Sequence, residues 1–266
     1  MTPSDLSPRQ HPLSHVHRQP PRSPRADSRS RRPRGANRGI GKSFVQALLE
    51  RGAAKVYAGA RNPATVDVTD DRVRPMRLDV TDPSSIAALG EELPDVRLVV
   101  NNAGIARPGS PLGVSLDDAR AELDVNYFGL IAMTQAFGPV LAANGGGAFV
   151  NVLSVASWVG SPTLPTYAAS KSAAWSFTNA ARIELKRQNT QVVGVHVGYV
   201  DTDLTAGLDG EKTPPAVVAT AGLDAVESEA PEAVVDDISR QVKAGLSNDQ
   251  QLIYPQLERE FAAQFE

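Results

Sequence analysis

None of the 266 residues is cysteine, so disulfides, thiolate nucleophiles and cysteine-ligated metals are excluded. No uninterrupted apolar run approaches the roughly 18 residues that span a bilayer, and no stretch has the short apolar core of a secretory signal. These absences predict a soluble, cytoplasmic protein with no membrane partner. Residues 1–34 are short of both acids and apolar side chains. They hold eight arginines and seven prolines against two acids, Asp5 and Asp27, and their apolar residues are Met1, Leu6, Leu13, Val16 and Ala26. Such a segment cannot bury enough surface to offset its ordering entropy and is expected to be a disordered tail. Prolines at 20, 21, 24 and 33 break the amphipathic helix a transit peptide needs, which leaves a basic binding arm as its functional reading. The formal charge of −3 divides into +6 for residues 1–34 and, from 19 basic against 28 acidic residues, −9 for the rest. An acidic body argues against nucleic acid as the main partner.

From residue 35 onward the pattern is regular, and residues 35–266 suit one large α/β domain. A glycine-rich turn leads into a helix with Phe44, Val45, Leu48 and Leu49 on one face, closed by Gly52. Strands are expected at 55–60, 73–80, 97–101, 148–154 and 191–197, with a short last one at 251–254. Helices are expected from Asp82-Pro83, over 116–142 with a late interruption at Gly138-Pro139, over 165–187 and over 231–246. Alternating strands and helices make βαβ units and a parallel sheet covered on both faces. The segment 203–225, with Pro214-Pro215 and three glycines, reads as a mobile lid.

Several short motifs carry chemistry. Gly35, Gly39 and Gly41 let a backbone turn tightly and approach a pyrophosphate at a helix N-terminus; Asn37, Arg38 and Ile40 lie between them. Arg61 follows the strand whose end lies by the adenosine ribose in a doubly wound sheet. A guanidinium there, with Arg38 as a second cation, suits a 2′-phosphate and hence NADP(H) rather than NAD. Asn102, Ala103 and Gly104 follow a buried strand as small residues able to pack on a cofactor. Asn126 is a poor helix-interior residue and is read as opening the helix or holding a water. Tyr167 and Lys171 share a helix face at i, i+4, and Ser154 ends the preceding strand. A tyrosine near pKa 10 when free is drawn toward the phenolate by an adjacent ammonium. It could then exchange a proton with a carbonyl oxygen that Ser154 holds. Val200 and Thr202 follow the next strand, where a hydroxyl could bond a carboxamide. Trp158 and Tyr199 are expected to wall an apolar pocket for a small carbonyl or alcohol substrate. No metal site is expected.

This set resembles the short-chain dehydrogenase/reductase family over about residues 35–255. The resemblance implies the tetrad Asn126, Ser154, Tyr167 and Lys171, with Lys171 also holding the nicotinamide ribose, and adenine contact at Asp79 before Val80. It implies a single Rossmann-type doubly wound parallel sheet of order 3-2-1-4-5-6-7, helices on both faces, and a homodimer or homotetramer formed through the two long helices. The departures are Arg34 where the family has threonine, Val197 where it has proline, and a missing first strand. Residues 25–34 would bring five arginines into a dry central position, each costly when unpaired, and Pro33 would lack a ladder donor. The expectation is that residues 1–34 are not the native start of such a domain and that cofactor binding is weakened. The alternative function is therefore an impaired or non-catalytic dinucleotide-binding relative.

Overall fold

The computed structural model describes residues 36–263. The expectations for residues 1–34, and for Gly35 in the cofactor loop, lie outside the described residues.

Helix α1, Gly39–Glu50, starts at a glycine with φ +52° and buries Phe44 and Ala47. It ends as expected at Gly52, whose φ of +81° lets the Ala53 N–H reach the Leu48 carbonyl at 3.0 Å. Strand β1, Val56–Ala60, pairs in parallel with β2, Val73–Arg77. β2 stops short of residue 80 because Asp79 turns the chain, its carboxylate accepting the Thr81 N–H at 3.1 Å and hydroxyl at 2.8 Å. Helix α2, Pro83–Glu92, opens as the sequence predicts, with Asp82 accepting the Ser85 N–H at 3.1 Å and Pro83 in the first turn. Strand β3, Leu98–Asn101, follows.

The long helix runs as α3, Leu116–Leu123, a π turn over Asp124–Phe128, and α4, Gly129–Ala143. Its irregularity is therefore at Asn126 and not at Gly138-Pro139. Pro139 stays inside α4, and the nearby Gly138 carbonyl takes a hydrogen bond from Gln188 Nε2 at 2.9 Å. Together Leu116–Ala143 is long and apolar enough, by length and composition alone, to cross a membrane. Here Met133, Phe137 and Leu141 instead form a core with Phe149.

Strand β4, Gly147–Val152, helix α5, Pro165–Leu185, and strand β5, Thr190–His196, follow as predicted. Three later expectations are corrected. Residues 215–225 are not part of a lid: Pro215 opens helix α6, Pro215–Glu227, whose Val218, Ala219 and Leu223 are buried with Phe44. Residues 231–246 are not one helix. Glu232–Val234 form strand β6, paired with β5, and helix α7, Asp237–Gly245, starts only where Asp236 accepts the Ser239 N–H at 2.9 Å. Residues 251–254 are not a strand but fall in the helices α8, Asp249–Leu252, and α9, Tyr254–Ala262. A short apolar run does not distinguish the two by periodicity.

Alternate residues of β4 and β5 feed opposite faces. Val150, Val193 and Val195 pack with α1 and α6, whereas Phe149 and Val192 pack with α2, α4 and α5. This is the expected doubly wound α/β arrangement, all parallel. Its ladder is in two parts: β1-β2 and β3-β4-β5-β6. Among the described residues no strand lies between β1 and β3, which is where the order 3-2-1-4-5-6-7 places its first strand.

Candidate active site and cofactor cleft

The carboxyl ends of β4 and β5 and the first turns of α5 converge on a cleft of about 90 Å³. Of the residues singled out from sequence, Arg38, Ile40, Asn102, Gly104, Val200 and Thr202 line it, as do Ser154, Tyr167 and Lys171. Ser154 is buried, and its Oγ accepts the Ala156 N–H at 3.1 Å to cap a short 3-10 turn. The Ser154 N–H in turn bonds Ser157 Oγ at 3.2 Å, which closes a capping box. The serine is thus held rigidly, with its own O–H left to donate.

Lys171 is buried on α5, and Nζ donates to the Val152 carbonyl at 2.9 Å. It lies 5.9 Å from the centroid of the Tyr167 ring. Burial pulls its pKa down to about 8, because the ammonium is removed from water. Asn126 is also buried. Its Oδ1 accepts the Ile105 N–H at 2.9 Å, while Nδ2 donates to the Ile105 carbonyl and to Ser170 Oγ, both at 2.9 Å. Ser170 donates onward to the Tyr167 carbonyl at 2.7 Å. Asn126 therefore ties the loop after β3 to the turn of α5 that bears Tyr167. Its side chain spends these bonds on protein groups, and the opening in the helix is the π turn itself.

At the cofactor end, a Cβ on Gly39 would come within 3.1 Å of Thr202 Cγ2, so the glycine loop and the loop after β5 meet across the cleft. No side chain caps the start of α1, and its first turn carries no acid. An anion is favoured at such a helix end. Arg38 pairs with Asp203 at 2.9 Å, and its Nε is buried with no hydrogen-bond partner. These features fit a dinucleotide phosphate. Asn37 is used differently, since its Nδ2 donates to Thr65 Oγ1 at 2.9 Å and braces the turn after β1. Arg61 and Asp79 sit at the ends of β1 and β2. Partial burial raises the Asp79 pKa, but the Thr81 hydrogen bonds and the charges of Arg61 and Arg77 outweigh it and leave a net lowering. Gly41, Val80, Ala103 and Asn126 line a second, larger cavity of about 700 Å³ beside the cleft.

Trp158 stacks on His196 at 3.9 Å between ring centroids, with Lys243 Nζ 5.5 Å from its ring. Tyr199 is half exposed. His196 is fully buried, and its Nδ1 lies 3.3 Å from the Ser154 carbonyl. Burial, which outweighs that hydrogen bond, lowers its pKa to about 3 and keeps the imidazole neutral. Sequence reasoning missed Ser170, His196 and Asp203. It also missed a polar line in which Asn101 Nδ2 donates to Asn151 Oδ1 at 2.9 Å and Asn151 Nδ2 donates to Thr178 Oγ1 at 3.0 Å. Asparagines inside two otherwise apolar strands were the available signal. Among the described residues no group of three His, Asp or Glu side chains could hold a metal ion.

Comparison with known proteins identifies relatives of this chain. A curated relative, the short chain dehydrogenase pigC of Monascus ruber, is 32% identical over 193 residues, which are 66% of this chain and 64% of that protein. The chain thus spans just under two thirds of that relative. The NADP-dependent 3-hydroxy acid dehydrogenase of Schizosaccharomyces pombe is 32% identical over 187 residues, 64% of this chain and 71% of that protein. A solved short chain dehydrogenase from Burkholderia cenocepacia, in complex with NADP, superposes with a TM-score of 0.80 at 37% identity, covering 84% of this chain and 94% of its own. The family described as short chain dehydrogenase matches residues 34–213. That span is well over half of the sequence, and the chain belongs to this family of oxidoreductases.

Proposed function

We propose that the chain transfers a hydride between NADP(H) and a small carbonyl or alcohol substrate, with Tyr167 as general acid and base. The observation that carries this reading is that Ser154, Tyr167 and Lys171 line one cleft, with the buried Lys171 ammonium 5.9 Å from the Tyr167 ring centroid. Bound NADP(H) supplies or accepts the hydride. Lys171, with a pKa of about 8, is mostly protonated at pH 7 and favours negative charge on the Tyr167 oxygen. Tyr167 gives its proton to the substrate oxygen in reduction and recovers it in oxidation. Ser154, whose Oγ lone pair already holds Ala156, donates its O–H to the same oxygen. Asn126 positions Tyr167 through Ser170. Gly39, Ile40, Asn102, Gly104, Val200 and Thr202 shape the cofactor cleft, with Gly41, Val80 and Ala103 beside it. Arg38 and Arg61 supply the cations suited to a 2′-phosphate, an assignment supported by the NADP found in the Burkholderia relative. Phe128 and Ile183, exposed on the two long helices, suit the dimer or tetramer contact.

The test is NADPH oxidation against a panel of ketones and aldehydes. Tyr167→Phe is expected to lower turnover by about 10²–10⁴-fold while NADPH still raises the melting midpoint. A Tyr167→Phe protein with undiminished turnover would refute the assignment. A second reading, a dinucleotide-binding relative without turnover, is favoured by the absence, among the described residues, of a strand between β1 and β3 behind the glycine loop. It predicts NADPH binding by the unaltered chain with no oxidation of NADPH by any carbonyl in the panel.

A further inference from the structure

The 700 Å³ cavity lies between the facing edges of β1 and β3. Each of these strands carries a ladder on one side only among the described residues: β1 to β2, and β3 to β4. Both point the same way, because Lys55 just before β1 pairs with Asp95 just before β3 and so brings their amino ends together. The cavity is roofed by Phe44, Val45 and Leu48 of α1 and floored by Leu89, Met133 and Phe137 of α2 and α4. Charge is confined to its ends. Lys55, paired with Asp95 at 2.6 Å, and Arg97 stand at the amino end, and Lys171 at the carboxyl end. Near the carboxyl end the Ala36 N–H donates to the Gly59 carbonyl at 2.9 Å, so this edge of β1 accepts backbone hydrogen bonds.

Two properties decide what fits. A cavity of this volume could take a small apolar molecule. Such a molecule would leave the inward N–H and C=O groups of two strand edges unpaired, and buried backbone groups are almost always satisfied. An extended peptide satisfies both edges and fills the space. The five residues of β1 and four of β3 set its length, and apolar layers above and below require that both its faces be apolar. In this sequence the segments of that kind, Leu98–Asn101, Gly147–Val152 and Thr190–His196, are themselves strands of the sheet. The residues leading into Ala36 are Arg32, Pro33, Arg34 and Gly35, which bring charge and remove a donor.

We propose that the slot between β1 and β3 is a receptor for one uncharged, parallel β-strand of about five residues, rich in Val, Ile, Leu and Ala, contributed by another polypeptide. Binding would be strand addition on two edges at once. The filled slot would join the two ladders into one seven-stranded sheet and brace the glycine loop from behind. This reading does not depend on the proposed chemistry.

The test uses the full chain and the synthetic peptide Lys-Lys-Val-Ala-Leu-Val-Thr-amide, its two lysines added for solubility ahead of the five residues that enter the slot. Amide hydrogen exchange is followed by mass spectrometry. The expected result is exchange slowed at least about tenfold at Val56–Ala60 and Leu98–Asn101 together, with the melting midpoint raised by ~5 °C or more. The same peptide N-methylated at alternate residues, and the peptide Arg-Ser-Arg-Arg-Pro-Arg, should do neither. Three outcomes would overturn the proposal: no slowing, slowing at one strand only, or equal slowing by the N-methylated peptide, which would mean apolar filling without pairing. If the isolated chain aggregates, it is refolded from urea with and without the peptide. A soluble yield that depends on the unmethylated peptide supports the proposal, and equal yields overturn it.

Discussion

Replacing Lys171 by methionine should make the protein more stable at neutral pH while abolishing turnover, and the gain should vanish in a defined alkaline window. Lys171 is buried, and burial lowers its pKa from 10.5 to about 8. In the unfolded chain the amine holds its proton up to about 10.5; in the folded chain it releases it near 8. Between those values the unfolded state binds the extra proton, so stability rises with pH across the window, and the cost of burying the ammonium is fully present below about 8. At 1.36 kcal/mol per pKa unit the cost is about 3 kcal/mol. Methionine removes it but leaves the Val152 carbonyl without its donor, a loss of about 1 kcal/mol. The net gain at pH 7 is therefore about 2 kcal/mol. Urea titrations of both proteins from pH 6 to 11 at fixed ionic strength measure it. Groups remote from Lys171 cancel in the difference between the two curves, and both titrations are made in a Tyr167→Phe background because Lys171 favours ionisation of that tyrosine. Difference curves that stay flat between pH 8 and 10.5 would refute the reasoning, because a lysine that ionises alike in both states carries no such penalty.

Three further outcomes are expected. Asn126→Ala should cost about 2–4 kcal/mol in denaturant titration, since it strips partners from the Ile105 N–H and carbonyl and from Ser170 inside the core; a cost below 1 kcal/mol would show that these bonds do not brace the site. Asp203→Asn should release Arg38 and tighten NADPH more than NADH in a binding titration, with little change in stability because the ion pair is exposed; equal effects on the two would remove Arg38 from 2′-phosphate selection. Because burial lowers the His196 pKa to about 3, the unfolded chain takes up a proton between about pH 6.5 and 3 that the folded chain refuses, so stability is lost as pH falls through that window. His196→Gln should make the decline shallower in acid titrations; identical slopes would contradict the buried neutral imidazole.

Features set by local chemistry were legible in the sequence. Asp82-Pro83 caps and opens a helix whatever surrounds it, Gly52 ends one, and the apolar runs at 148–152 and 191–196 have no other stable place than a buried parallel sheet. The spacing of Tyr167 and Lys171 and the position of Ser154 at a strand end carried over directly to the cleft. Tertiary context hid the rest. β6 is three residues long and is a strand only because β5 offers its edge to Glu232–Val234. α6 was obscured by Pro214-Pro215, although Pro215 costs nothing in a first helical turn. Of the two irregularities the sequence suggests in the long helix, the one at Asn126 is present as a π turn, with side-chain bonds to Ile105 and Ser170, and the one at Gly138-Pro139 is absent because the helix carries Pro139 within it. Asp203 beside Arg38 and Asn126 bonded to Ser170 are partnerships across 165 and 44 residues, which no local pattern announces.

The break in the ladder among the described residues should also divide the molecule by mobility. A two-stranded ribbon is marginal alone in water, and β1 and β2 have no rung to β3 among the described residues; α1 and α2 hold them by side-chain packing. The ribbon and its adjoining turns should open as one unit at a lower free energy than the four strands around β4. Arg61, one of the two cations that would choose between two dinucleotides, rides on this looser part with Asn37 and Asp79. Ser154 and Lys171 are fixed to the stiffer one. Discrimination at the adenosine end would thus be exercised by a yielding surface, and proton transfer by a rigid one, so substitutions that soften the ribbon should relax cofactor choice well before they disturb the reacting groups.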